Sequence, residues 1–127
     1  MTDKLTGSAF IERSFIYLST LARDCRKNLM LKFEREHKGI PFNSVETVLK
    51  KEVESWFMTR DKNISIDFSK SMIGKSGEIL LIYSGATKDV HFKVQVDGRF
   101  TLGDTASDAP AYIKNLNIKI DKRDITK

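Results

Sequence analysis

Apolar residues recur every three or four positions along the N-terminal part of the chain. Residues at this spacing lie on one face of an α-helix, which repeats about every 3.6 residues. Gly39 and Pro41 end the pattern, as a glycine followed by a proline does at the end of many helices. The pattern predicts an amphipathic helix over about residues 9–37. Its apolar stripe consists of Ile11, Phe15, Leu18, Ala22, Cys25, Leu29 and Phe33.

A second apolar face begins after a short link that contains Pro41. It predicts a second amphipathic helix over about residues 44–59. Because the link is short, we expect the two helices to pack nearly antiparallel. The apolar positions of the second helix are Val45, Val48, Leu49, Val53, Trp56 and Phe57.

Beyond the second helix the apolar residues alternate with polar ones, which is typical of half-buried β-strands. Residues 79–83 are apolar throughout, so we expect a central strand that is covered on both faces or shielded by a partner. Asp97-Gly98 is a common hairpin sequence. We expect a three-residue loop there, because that register pairs Val94 with Phe100 and keeps apolar side chains on one face. The predicted strands cover about residues 63–69, 78–84, 90–96, 99–103 and 111–121.

Two helices followed by closely spaced strands are typical of an α+β domain with an antiparallel sheet. The length of 127 residues is that of one domain. The sequence therefore predicts a single domain over residues 1–127. Both N-terminal amphipathic helices are expected to pack on one face of a four- to five-stranded antiparallel sheet, as a two-layer arrangement.

Composition excludes several classes of protein. A single cysteine, Cys25, excludes a disulfide scaffold and a multi-cysteine metal site. The sequence has no apolar run near the ~18 residues of a membrane span and no signal-peptide core, so we expect a cytoplasmic protein. The chain has 22 Lys and Arg against 17 Asp and Glu, a net charge of +5. This excess attracts polyanions and acidic surfaces.

The basic residues of the long helix form the first candidate site. Arg13, Arg23, Arg26 and Lys27 are expected to lie roughly opposite the apolar stripe, where they can contact phosphates or carboxylates. No catalytic motif accompanies them, so we expect a small binding protein, not an enzyme. Its expected partner is a nucleic acid or an acidic protein surface. A dimer through the stripe of the long helix is a further interpretation.

A metal-independent ribonuclease is an alternative interpretation, which uses the polar face of the predicted 90–102 hairpin. His91 is a candidate general acid or base there, and neighbouring cations can stabilise a developing negative charge. The residues that this face brings together are His91, Lys93, Gln95, Arg99 and Thr101.

A second alternative is an α+β cone that binds a small ligand in an interior pocket lined by Trp56, Tyr83 and Phe92. The sequence predicts no cofactor and no metal site. Asp104 and Asp108 lie four residues apart in a polar loop, but they lack the series of ligands and the glycine of a calcium-binding loop.

Overall fold

In the computed structural model, which describes residues 8–35, 39–88, 90–103 and 109–122, two helices pack with a five-stranded antiparallel sheet. The predicted α+β class is therefore confirmed. A two-residue strand and one turn of 3-10 helix connect the helices. The elements in chain order are α1 (Ser8–Arg35), β1 (Ile40–Pro41), the 3-10 turn (Phe42–Ser44), α2 (Val45–Arg60), β2 (Ser65–Ile73), β3 (Glu78–Ala86), β4 (His91–Leu102) and β5 (Pro110–Lys122).

The central part of the apolar stripe of α1 is buried within the chain. Leu18, Ala22, Cys25 and Leu29 are each at most 1% exposed. α1 packs chiefly against β5 and also contacts α2. A dimer formed through this stripe would therefore require α1 to separate from β5. Neither α1 nor α2, the two helices in the described ranges, has an apolar stretch long enough to cross a lipid bilayer.

The strand order in the sheet is β1-β5-β4-β3-β2, and all neighbouring strands are antiparallel. β3 lies in the interior of the sheet between β2 and β4, as its apolar sequence predicted. Its side chains alternate between two faces. Ile79, Leu81 and Tyr83 are buried in the core, on what we call the core face. Leu80 and Ile82 point to the opposite side, which we call the outer face.

The predicted hairpin at Asp97-Gly98 was wrong, because His91–Leu102 is one continuous strand. β3 pairs with this strand on one side and β5 on the other, as far as Gly98 and beyond. Gly98 lies opposite Leu116 of β5. A Cβ atom at position 98 would be 2.2 Å from the carbonyl oxygen of Asn115. The glycine therefore permits a close approach of two backbones and does not form a turn.

Hydrogen bonds from side chains to backbone carbonyl groups join α2 to α1 and β3 to α2. Trp56 of α2 donates a hydrogen bond from Nε1 to the carbonyl oxygen of Leu21 in α1, at 3.1 Å. The Tyr83 hydroxyl of β3 donates to the carbonyl oxygen of Lys50 in α2, also at 3.1 Å. Burial of the Tyr83 ring raises the pKa of its hydroxyl well above the usual value. These bonds supply partners to polar groups inside an otherwise apolar core.

Candidate functional site

The four basic residues singled out on α1 do not share one face. Arg13 and Arg23 are exposed, and they lie ten residues, or roughly 15 Å, apart along the helix axis. Lys27 is exposed one turn after Arg23. Arg26 follows buried Ala22 by four residues, so it lies only about 40° around the helix from the apolar stripe. The expectation that all four lie opposite the stripe is therefore wrong for Arg26.

Arg26 is exposed, but its side chain also reaches the sheet. Its Nε atom donates a hydrogen bond to the carbonyl oxygen of Leu116 in β5, at 2.6 Å. β1 pairs with only Pro110 and Ala111 of β5. The rest of β5 consequently has a paired strand on one side only, and the guanidinium supplies a donor to one of its carbonyl groups. Arg26 thereby holds α1 against β5.

A cleft of about 530 Å³ opens between the second half of α1 and the segment formed by β1 and the start of β5. This volume lies in the range of roughly 300–1,000 Å³ that ligand clefts occupy. The apolar side chains of the cleft belong to Met30, Leu31, Phe33, Ile40, Ala111 and Ile113. Its polar and charged side chains belong to Arg26, Lys27, Glu34, Tyr112 and Lys114.

Gly39 shapes one end of this cleft. Its φ angle of +76° is a backbone conformation that residues with a side chain rarely adopt. A Cβ atom at this position would also approach the ring of Tyr112 to 2.9 Å and Cβ of Pro110 to 3.0 Å. Glycine therefore lets the chain reverse after α1 and enter β1 directly beside the start of β5. That reversal places Ile40 in the wall of the cleft.

Among the described residues that line the cleft, the charge is predominantly positive. Arg26, Lys27 and Lys114 contribute three cations, and Glu34 contributes one carboxylate. The sequence indicated two of these cations, but it gave no reason to associate them with Lys114. Lys114 lies at a register shift, where the residues of β5 that pair with Arg99 and Phe100 are Asn115 and Ile113.

The residues of the ribonuclease interpretation lie along one strand. His91, Lys93, Gln95, Arg99 and Thr101 alternate with buried residues of β4, so they share the outer face. A strand rises by about 3.3 Å per residue, which places the Cα atoms of His91 and Arg99 roughly 26 Å apart. Lys93 and Arg99 are roughly 20 Å apart by the same measure. The structure therefore does not bring the base and both cations to one reacting centre.

The three residues of the proposed ligand cone occupy different surroundings. Tyr83 and Phe92 are 0% exposed. The Phe92 ring packs over Gly85, where a Cβ atom would be 2.3 Å from it. Trp56 instead borders a shallow cleft between the two helices, and Arg60 stacks on its ring at 3.8 Å from the centroid. The structure does not join these three side chains around one described cleft.

Cys25 is a small apolar residue of the core, as its place in the stripe predicted. It is 0% exposed, and burial raises the pKa of its thiol to about 12. A thiol with this pKa is a poor nucleophile near neutral pH. Within the described ranges, no three His, Cys, Asp or Glu side chains come together in a way that could hold a metal ion. Asp104 and Asp108 lie outside the described residues.

Neither the known protein-family models, nor curated protein sequences, nor solved structures contain a match to this chain. The fold and the chemistry of the cleft are therefore the grounds on which a function can be argued.

Proposed function

We propose that this chain is a binding protein that recognises an acidic segment of a partner protein in the cleft between α1 and β5. The observation that carries the proposal is that Arg26, Lys27 and Lys114 line the same cleft as a group of apolar side chains, among them Met30 and Phe33. An apolar interior takes up an apolar side chain, and cations at the mouth attract carboxylates on either side of it. The expected ligand is thus an apolar anchor residue flanked by Asp or Glu.

The apolar and the charged side chains of the cleft contribute differently to binding of the proposed ligand. Burial of one Leu or Phe side chain of the ligand contributes about 1.5–3 kcal/mol. Each exposed ion pair at the mouth contributes roughly 0–1 kcal/mol and is weakened by salt. The anchor therefore supplies most of the affinity, and the cations set the charge preference and accelerate association. Arg23, one turn before Lys27, extends the positive surface along α1.

An acidic peptide fits this cleft better than a nucleic acid does. Binding of single strands depends on aromatic rings that stack on bases and on cations that follow the phosphates. The aromatic residues of the cleft, Phe33 and Tyr112, are half-buried, which limits the ring surface that a base could cover. A nucleic acid remains an outcome that the experiment distinguishes.

The proposal includes the finer arrangement in which both helices form one layer on the core face of the sheet. It is supported by the core cluster, in which Leu18 of α1 and Leu49 of α2 belong with Val94 of β4. In that arrangement α1 covers β5 along the side where the cleft opens. The helix and the strand edge then present one concave surface to a partner.

Fluorescence anisotropy tests the proposal with four labelled probes. The first is a short Glu-rich peptide with one Leu and one Phe, and the second has Lys in place of each Glu. The third is the Glu-rich peptide with both apolar residues replaced by Ser, and the fourth is a single-stranded RNA. We expect the first peptide to bind most tightly, with an affinity that falls as salt rises.

Two variants assign that binding to the cleft. The double substitution Lys27→Glu and Lys114→Glu is expected to weaken binding of the first peptide about tenfold or more. Lys75→Glu is the matched control, because Lys75 is exposed in the connection between β2 and β3. Equal binding by the double variant and the control would overturn the assignment to the cleft. Preference for RNA over all three peptides would replace the protein partner by a nucleic acid.

A further inference from the structure

A second cleft, with a volume of about 330 Å³, lies between α1 and α2. We call it the α1–α2 cleft. Lys27 and Leu31 line both this cleft and the α1–β5 cleft. They are one turn apart on α1, and the Leu31 side chain is 49% exposed. The two residues therefore form a ridge that separates the two clefts.

The helical positions of other lining residues agree with this ridge. Successive residues of an α-helix are rotated by about 100° around its axis. Measured from Lys27, Met30 and Arg26 lie about 60° and 100° to one side, and both line the α1–β5 cleft. Asp24 and Asn28 lie about 60° and 100° to the other side, and both line the α1–α2 cleft. The two clefts thus flank one exposed face of α1.

The α1–α2 cleft contains a cation whose position is set by its neighbours. The hydrogen bond from Trp56 Nε1 to the carbonyl oxygen of Leu21 holds the indole ring between the helices. Arg60 lies over this ring, with Cζ 3.8 Å from the ring centroid. A guanidinium group that stacks on a ring keeps its N–H donors directed outwards from its edges, where a carboxylate can accept them. Because the stacking already orders the Arg60 side chain, little entropy is lost when it binds a carboxylate.

The charge of this cleft matches that of the α1–β5 cleft. Among its described lining residues, Lys27 and Arg60 are positive and Asp24 is negative, so both clefts attract carboxylates.

We infer that the acidic segment bound in the α1–β5 cleft crosses the ridge and places a second acidic residue against Arg60. This second contact rests on the proposed function, because it requires the same ligand. An α-helix with its side chains is about 10–12 Å wide, and an extended chain advances by about 3.3 Å per residue. The expected ligand therefore has an apolar anchor and, about four residues away, a second Asp or Glu.

Two readouts on the full chain separate the two clefts. Anisotropy of a labelled peptide reports binding anywhere. Trp56 is the single tryptophan of the chain and is absent from the described lining of the α1–β5 cleft, so its fluorescence, measured with unlabelled peptides, reports on the α1–α2 cleft.

The short probe is a peptide with blocked termini in which one Phe is flanked by Glu. Two long probes add three Ser and a Glu, after the anchor in one and before it in the other. We expect one of the long probes to bind about tenfold more tightly than the short probe and to change Trp56 fluorescence. The short probe, and a long probe with Ser in place of the distal Glu, should bind equally and leave that fluorescence unchanged.

Variants at position 60 assign the gain to this cleft. Arg60→Glu should remove the tighter binding of the long probe and leave the affinity for the short probe unchanged. Arg60→Met keeps an apolar chain beside the Trp56 ring and should remove the same gain. Lys62→Glu is the matched control, since Lys62 is exposed and lies outside the described lining of both clefts, and it should retain the gain.

The outcomes distinguish this inference from the proposed function. If the short probe binds but neither long probe binds more tightly or changes Trp56 fluorescence, the second contact is overturned and the proposed function stands. A gain that persists in both Arg60 variants, with native circular dichroism spectra, would also overturn it. Failure of every probe to bind the unmodified chain would overturn the proposed function and the second contact together.

Discussion

Replacement of Gly98 by Ala tests the most unexpected feature of the fold, which is the passage of Asp97-Gly98 through the middle of β4. Gly98 is not among the described glycines with positive φ, so an Ala there meets no conformational penalty. Its cost is steric. The added Cβ would lie 2.2 Å from the carbonyl oxygen of Asn115 and 3.1 Å from Cα of Leu116.

Both of these contacts are with the backbone of β5, which cannot move aside without disturbing its pairing with β4. A normal contact needs about 1 Å more space than the first of these distances provides. Overpacking of this kind costs about 1–3 kcal/mol, and backbone neighbours place this site at the upper end. We therefore expect Gly98→Ala to lower the free energy of unfolding by about 3 kcal/mol. In a domain of this size that corresponds to a loss of about 10 °C in Tm.

Urea unfolding followed by tryptophan fluorescence measures the effect, since Trp56 reports on the packing of the two helices. Gly74→Ala is the matched control. Its Cβ would also make a short contact, 2.4 Å, but with the carboxylate oxygen of Glu78, the end of a flexible side chain. Glu78 can rotate away, so this control should cost less than about 1 kcal/mol.

Gly98→Asn separates the observed strand from a hairpin turn. In a turn with a left-handed residue at position 98, Asn would be tolerated and would unfold at nearly the same urea concentration as Gly. In the observed strand, Asn meets the same backbone atoms as Ala and should destabilise at least as much. Wild-type stability of both variants would refute the pairing of Gly98 with Leu116.

Three further predictions concern the core and the attachment of α1. Burial raises the pKa of the Cys25 thiol to about 12 in the folded state, whereas the pKa of a thiol in an unfolded chain is about 8.5. The neutral buried thiol therefore contributes stability that is fully present below pH 8.5 and is lost as pH rises towards 12. Urea unfolding should show a loss of about 2 kcal/mol between pH 8 and pH 10, and Cys25→Ala should remove that part of the pH dependence. Tyr83→Phe should cost about 1 kcal/mol in thermal unfolding, because the hydroxyl no longer donates to the carbonyl oxygen of Lys50; an unchanged Tm would contradict that bond. Arg26→Met should lower the free energy of unfolding by about 1 kcal/mol, because the hydrogen bond to the carbonyl oxygen of Leu116 in β5 is lost. Lys27→Met, one residue further on, should change the free energy of unfolding little. Equal effects of the two substitutions would argue against the Arg26 bond.

The helices could be predicted because their signal is local and redundant. Apolar residues at spacings of three and four recur over many turns of α1, so no single position decides the pattern. The interior position of β3 followed from similar reasoning. The alternation of apolar and polar residues predicted which side chains of β4 are buried. Although the predicted turn was wrong, the same alternate positions face the core in the structure.

The continuity of β4 could not be predicted from its own residues. Asp-Gly favours a two-residue turn in isolation, but here β3 and β5 pair with this strand on both sides. Backbone hydrogen bonds along two long neighbours outweigh the preference of one dipeptide. The close approach of Asn115 to Gly98 became visible only once β5 was in place.

The residues of the cleft were likewise only partly predictable from the sequence. The sequence indicated Arg26 and Lys27 as part of a basic surface, and it assigned Phe33 to the apolar stripe. It gave no signal that Tyr112 and Lys114 would join them from the far end of the chain. Their meeting depends on the reversal at Gly39 and on the packing of α1 against β5, neither of which is a local property.

The sequence by itself therefore determined the two helices, most of the residues that form strands and the alternation of side chains that face the core, because periodic apolar spacing carries that information along the chain. Only the tertiary structure decided that β4 runs through Asp97-Gly98, that Arg26 reaches β5 and that Lys114 joins Lys27 in the α1–β5 cleft. These features depend on residues that are distant in sequence and are brought together by strand pairing and helix packing. Contacts of this kind produce no periodic pattern in the sequence, so they could not be predicted from it.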